Sequence, residues 1–211
     1  MDITDGAGTM ATCVITTARP GVLELAVTGR AVAPAPVPRL TVVQAIPKGD
    51  RGELATETMT EVGVDVLVPW AAERSVVQWR GDKAAKGAAR WRSTAIAAAK
   101  QSRRSWLPEV TEVASTAEVA ARVKAIVSEG RGLAVALDPD APQPLLAVAG
   151  APGLTDIILL VGPEGGISPA EAGLFAAAGA VGARLGPTVL RASSAGAIAA
   201  ALVMTAAGRW H

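Results

Sequence analysis

Two glycine-rich segments hold the residue types best suited to chemistry in this chain. Gly162-Pro163-Glu164-Gly165-Gly166 follows the apolar run Asp156–Val161, and Gly186-Pro187-Thr188-Val189-Leu190-Arg191 follows Ala180–Leu185. Glycine lets a backbone approach a ligand closely, with its N–H and C=O groups open as partners. Glu164 is a candidate proton acceptor, or it holds its loop by accepting backbone N–H bonds. Arg191 carries a planar fork matched to carbonyl or phosphate oxygens. The first segment is no P-loop, because no Lys-Ser/Thr follows its last glycine, and it lacks the GxGxxG spacing of a first βα turn. Taken alone, it is equally a tight turn with a solvated glutamate, and Arg191 a surface arginine opening a helix.

Composition narrows the chemistry further. The single histidine, His211, is the last of 211 residues, so catalysis by an internal histidine, as in Ser-His-Asp and Cys-His machines, is not expected. One cysteine, Cys13, makes neither an intramolecular disulfide nor a zinc cluster, and is expected to be a small buried hydrophobe. The longest apolar stretch, Ala195–Gly208, spans about 14 residues, short of the roughly 20 that cross a bilayer. No basic-then-apolar leader opens the chain. With 50% hydrophobic and 18% charged residues, the chain can bury a sizeable core.

The formal net charge of +1 conceals a strong local excess. Nine bases lie from Arg74 to Arg104 against one acid, Asp82, a local charge of +8. Trp79 and Trp91 are interleaved with them, and Trp106 follows. Bases neutralise phosphates while flat side chains stack on nucleobases; a solvated helix face is the plainer alternative.

The elements that must position these groups are legible in outline. Thr12–Thr16, Val22–Val27 and Thr41–Ile46 are β-branched runs, divided by the turn Arg19-Pro20-Gly21 and by a stiff Pro-rich stretch with Pro34, Pro36 and Pro38. From Thr41 onward strands and helices alternate, the pattern of a mostly parallel α/β sheet. Helices are expected over Arg51–Glu61, Ala84–Arg103, Thr116–Glu129 behind an N-cap at Ser115, Pro169–Ala178 behind the capping box Ser168-Pro169-Ala170-Glu171, and Ser193–Ala207. Strands are expected over Val64–Val68, Leu133–Leu137, Asp156–Val161 and Ala180–Leu185. Both glycine-rich segments thus fall at the carboxyl ends of strands, where open α/β sheets bind ligands.

The block Val161-Gly162-Pro163-Glu164-Gly165-Gly166-Ile167-Ser168, with Leu185-Gly186 and Val189-Leu190-Arg191 further on, resembles the RsmE family. These are SPOUT-class methyltransferases that modify N3 of a uridine in 16S ribosomal RNA. Lys48-Gly49-Asp50-Arg51, Glu61-Val62-Gly63-Val64-Asp65, Glu73-Arg74-Ser75-Val76-Val77 and Ala98-Ala99-Lys100-Gln101-Ser102-Arg103-Arg104 are similar to further family blocks, in the family's order. The resemblance implies a SPOUT-type, mostly parallel α/β sheet with a C-terminal deep trefoil knot over residues 39–211. A partial PUA-like β-barrel and Pro-rich linker would occupy residues 1–38. It further implies a cytoplasmic homodimer acting on 16S rRNA or the small ribosomal subunit, with no membrane partner. S-adenosylmethionine would be the co-substrate, with no metal, held by Leu137, Gly162, Pro163, Glu164, Gly165, Gly166, Ile167, Leu185, Gly186, Val189 and Leu190.

On the same resemblance Arg191 and Glu164 are the catalytic candidates. Arg74, Arg90, Arg92, Lys100, Gln101, Arg103 and Arg104 would contact RNA, and Trp91 would pack in the core or a dimer interface. The chain departs from the pattern in three places. It begins inside the barrel, so the barrel is expected to be shortened or incomplete. Ala192-Ser193-Ser194-Ala195 stands where many members have Thr-Glu-Thr-Ala, so no role for that glutamate carries over. Asp138 stands where His-Glu is common. A catalytically idle RNA-binding protein of this fold, or a methylase with another RNA target, are the alternatives.

Overall fold

The computed structural model describes residues 1–210; His211 lies outside the described residues. Two sheets form. Strands β1 (Asp2–Thr4), β2 (Thr9–Arg19) and β3 (Val22–Val32) make a small antiparallel sheet in the order β1-β2-β3. The second sheet is wholly parallel, in the order β6-β5-β4-β8-β7-β9. Its strands are β4 (Arg39–Ala45), β5 (Val66–Trp70), β6 (Glu109–Val110), β7 (Gly132–Leu137), β8 (Asp156–Val161) and β9 (Val181–Ala183). Between them run α1 (Arg51–Val62), α2 (Asp82–Gln101), α3 (Thr116–Ser128), α4 (Leu145–Ala149) and α5 (Pro169–Ala177), and α6 (Ala192–Ala206) follows β9.

Helices cover both faces of the parallel sheet, which explains its unbroken apolar strands. Leu40, Val42, Ile157 and Leu159 face one core with Met59 of α1, Trp91 of α2, and Ala199 and Val203 of α6. Val43, Ala45, Ile158 and Leu160 alternate to the other face, with Val119 and Val123 of α3 and Phe175 of α5. The order of strands reverses between β4 and β8: from β4 the chain moves outward to β5 and β6 on one side, and from β8 it moves outward past β7 to β9 on the other. The crevice beyond the carboxyl ends at such a reversal is where this architecture takes ligands.

Expected and observed elements differ where local bonding outweighs pattern. The strand expected from Val64 starts at Val66, because Gly63 ends α1 with φ 103° and Val64 N–H donates to Met59 at 3.0 Å. The strand expected over Ala180–Leu185 keeps only Val181–Ala183. Beyond it Arg184 leaves the sheet, donating to Gln143 O at 2.9 Å and accepting from Leu145 N at 2.8 Å. Thr41–Ile46 enters the centre of the parallel sheet as β4, separate from the N-terminal sheet. Cys13 and Trp91 are buried, as expected.

The small sheet joins the larger body around Trp106. Gly8 N donates to Ser105 O at 3.0 Å, Leu107 N to Gly6 O at 2.9 Å, and Trp106 Nε1 to Ala33 O at 3.1 Å. Its strands are mostly exposed, with Val14, Ile15, Val22, Leu23 and Val27 all open.

Candidate functional site

The loops after β8 and β9 open at the same end of the sheet, as their positions after parallel strands require. The first folds back sharply on itself. Gly166 N donates to Pro163 O at 2.8 Å, and Gly166 takes φ 73°, a backbone region that favours glycine. A Cβ on Gly162 would lie 2.9 Å from Ile167 Cγ1, and one on Gly165 would lie 3.2 Å from Arg74 Cβ. Pro163 is buried, while Glu164, Gly165 and Gly166 are exposed. Around Gly165 and Gly166 the loop is therefore bare backbone on its open side.

The second loop is unusual in its hydrogen bonding. No backbone N–H or C=O from Leu185 to Leu190 has a protein partner among the described residues. Unpaired peptide groups seek water or a ligand, and here six consecutive residues offer them. Leu185, Leu190 and Leu137, which ends β7, are half-buried and pack against the same core cluster. Apolar walls beside free backbone donors and acceptors suit a flat heteroaromatic ring with polar edges.

A buried carboxylate fixes the first loop. Ser168 and Glu171 form the capping box of α5, and Glu171 is only 3% exposed. Glu171 Oε1 accepts from Glu73 N at 2.8 Å and from Thr116 Oγ1 at 2.9 Å, while Oε2 accepts from Ser168 N at 3.1 Å. Ser168 Oγ donates to Glu73 Oε2 at 2.5 Å, and Arg74 Nη1 donates to Gly165 O at 3.1 Å. One side chain thereby joins the loops after β5 and β8 to the start of α3. The sequence marks Glu171 only as a capping residue, the same signal as the exposed Glu118 of α3; burial alone separates them.

Glu164 is exposed in the first loop. No backbone N–H donates to it among the described residues; Arg51 Nη1 faces its Oε1 at 3.7 Å. Glu171 makes the backbone bonds that Glu164 was a candidate to make. Arg191 is exposed at the N-cap of α6. Its carbonyl accepts from Ser194 and Ala195 N–H at 2.9 Å, and its guanidinium has no partner among the described residues.

The basic residues expected to contact RNA divide into three sets. Lys100, Gln101 and Arg103 are exposed around the end of α2, without side-chain partners among the described residues. Arg74, Arg90 and Arg92 are engaged: Arg74 with the Gly165 carbonyl, Arg90 with Glu53 at 3.0 Å, and Arg92 with Val110 O at 3.0 Å and with Glu112. Arg104 turns inward, its side chain 11% exposed, and donates to Thr60 O, Val64 O and Asp65 Oδ1 at 3.0, 2.6 and 3.4 Å. Burial pulls this guanidinium below its usual pKa, opposed by Asp65 and reinforced by Arg209. Arg104 is committed to the fold, with Asp65 also held by Arg209 at 2.6 Å. The sequence expected this side chain at an RNA contact; in the fold its guanidinium is spent on Thr60, Val64 and Asp65.

Comparison with known proteins agrees with this geometry. Residues 33–204 match the family model of the RNA methyltransferase domain. The chain is 43% identical over 206 residues to ribosomal RNA small subunit methyltransferase E of Mycobacterium bovis, covering 98% of this chain and 78% of the relative. The Bacillus subtilis protein of the same name is 30% identical over 162 residues, covering 74% and 62% of the two chains. Among solved structures, small subunit methyltransferase E of Neisseria gonorrhoeae, bound to S-adenosyl methionine, superposes with a TM-score of 0.85 at 26% identity, over 97% of this chain and 82% of that one. The chain belongs to the ribosomal RNA small subunit methyltransferase E family of RNA methyltransferases.

Proposed function

We propose that the protein transfers a methyl group from S-adenosylmethionine to N3 of a uridine in 16S rRNA, as a cytoplasmic homodimer acting on the RNA or the small ribosomal subunit. The observation carrying this reading is the pair of loops at the sheet's carboxyl end, one bare backbone around Gly165 and the other with six residues of unpaired peptide groups beside Leu137, Leu185 and Leu190. These are the features an adenosyl group needs. Gly162, Pro163, Glu164, Gly165, Gly166 and Ile167 would form one wall, with Gly186 and Val189 completing the other. Bound there, S-adenosylmethionine supplies an electrophilic methyl group. Orientation of the two substrates can account for ~7–11 kcal/mol of barrier lowering.

Arg191 is assigned to the uracil carbonyl oxygens, or to a flanking phosphate, because its guanidinium is exposed and unpaired at the mouth of α6. A cation there stabilises the charge that develops as N3 loses its proton. Glu164, exposed beside Arg51, is the acid–base candidate. Lys100, Gln101 and Arg103 are assigned to RNA phosphates, with Arg90 and Arg92 contributing from their ion-paired positions and Arg74 from its hydrogen bond to the Gly165 carbonyl. Residues 1–38 are assigned as a partial PUA-like barrel with its linker, and residues 39–211 as the methyltransferase domain. A deep trefoil knot is the reading of how the chain passes from β9 to α6. It is supported by the bonds of Arg184 to the 143–145 segment and by packing of α6 against α1 and α4.

Isothermal calorimetry with S-adenosylmethionine on the wild type and on Gly165→Trp tests the site. Micromolar binding that the indole abolishes, on a variant of unchanged melting temperature, is the expected result. Wild-type-like affinity in Gly165→Trp would place the adenosyl group elsewhere. No binding by a folded wild type would favour an idle RNA-binding protein.

A further inference from the structure

A cavity of about 360 Å³ lies beyond the carboxyl end of β4, between α1 and the first half of α2. Its volume falls within the ~300–1,000 Å³ range of small-molecule sites. Pro47 and Gly49, just after β4, line one side, so it opens at the strand reversal described above. It adjoins the methyl-transfer loops through Arg51, which sits between wall residues Gly49 and Gly52 and faces Glu164 at 3.7 Å.

The lining combines an indole with cations. Lys83, Lys86 and Arg90 recur at helical spacing along one face of α2. The ammonium groups of Lys83 and Lys86 are exposed and have no ion-pair partner among the described residues. Trp79 forms part of the wall and lies against the α2 backbone. A Cβ on Gly87 would come within 2.6 Å of its ring atoms, so glycine is what lets the indole sit there. Trp91 braces it edge-on, with ring centroids 5.5 Å apart at 74°. Apart from the indole N–H groups of Trp79 and Trp91, the remaining polar side-chain groups at the wall are acceptors. Glu53 presents a carboxylate tied to Arg90, and Gln78 spends its Nε2 on Ala72 O and Ser75 O at 3.1 and 3.3 Å, leaving Oε1 open.

We propose that this cavity is a subsite for one nucleotide flanking the methylated uridine, with its base against Trp79 and its phosphate on Lys83 and Lys86. The proposal rests on the RNA methyltransferase reading above. Glu53 Oε and Gln78 Oε1 both accept, so the subsite favours a base that presents an amino group over uracil. Stacking on an indole and phosphate neutralisation by two lysines are the two terms expected of a single-strand site.

The test titrates the full chain with single-stranded adenylate and uridylate ribonucleotide pentamers, following tryptophan fluorescence, and separately measures S-adenosylmethionine binding and methyl transfer to small ribosomal subunits. The double variant Lys83→Glu/Lys86→Glu changes exposed side chains only. It is expected to weaken adenylate binding by about tenfold or more and to flatten its salt dependence, while S-adenosylmethionine affinity stays at the wild-type value. Trp79→Phe should retain most of the affinity and lose most of the fluorescence quench; Trp79→Ala should lose both. In methyl transfer the lysine variant should raise KM for the subunit and leave kcat nearly unchanged. Wild-type RNA affinity in the lysine variant, equal binding of the two pentamers, or displacement of the RNA by an acidic peptide alone would overturn the subsite. Absence of S-adenosylmethionine binding or of methyl transfer in the wild type would instead sink the parent reading.

Discussion

Glu171 illustrates how much a single carboxylate can organise. It accepts from two backbone N–H groups and a hydroxyl while 3% exposed, joining Glu73, Thr116 and Ser168. Hydrogen bonds to a charged group contribute more than neutral ones, and removing the acceptor leaves buried donors unsatisfied. Glu171→Ala is therefore expected to cost about 2–4 kcal/mol in chemical denaturation. It should also weaken S-adenosylmethionine binding, because the loop from Gly162 to Ser168 loses its anchor. Glu171→Gln, which keeps acceptor capacity, should fall between the two in both measurements. Unchanged stability in Glu171→Ala would show that the network is not needed to hold the loop. The glycine-rich loops themselves are legible in the sequence because bare backbone is written as residue type. The fates of Glu171 and Arg104 are not, because they are set by tertiary partners: Arg104 reaches Asp65 across 39 positions and Glu171 reaches Glu73 across 98.

At the scale of elements, legibility follows the strength of the local signal. Strand β8 coincides with the expected Asp156–Val161 because helices on both faces require a continuous apolar run. The helix starts at Thr116 and Pro169 coincide because each has a serine cap and a glutamate three residues on. Strand β6, two residues long, and helix α4, five residues long, carry too little pattern to be seen. The cap of α3 also makes a pH prediction. Glu118 accepts from Ser115 N at 2.8 Å and Ser115 Oγ at 2.7 Å, and these bonds hold its pKa below the ordinary 4.5, backbone first. A carboxyl depressed in the folded state contributes stability above its unfolded pKa and loses it as pH falls through the lower folded value. Thermal unfolding of Glu118→Gln against the wild type should show a deficit at neutral pH that narrows as pH drops below 4.5. A deficit that is constant or widens with acid would contradict the cap assignment.

Across the whole molecule, the chemistry gathers at one end of a parallel sheet. Loops after β4, β5, β8 and β9 all open there, because every strand of that sheet runs in the same direction. The parallel architecture follows from alternating strand and helix patterns. The strand order, and with it the reversal between β4 and β8, does not: no residue pattern states which strands are neighbours. Under the proposed function, this end carries methyl from S-adenosylmethionine to uridine N3. Small ribosomal subunits lacking the modification would be incubated with the protein and S-adenosylmethionine labelled in its methyl group, and the RNA digested to nucleosides and separated by mass. Label is expected in N3-methyluridine from 16S rRNA, with the rate falling by about 10²–10³-fold in Arg191→Ala. Label in a different nucleoside, no label from folded wild-type protein, or an undiminished rate in Arg191→Ala would contradict it.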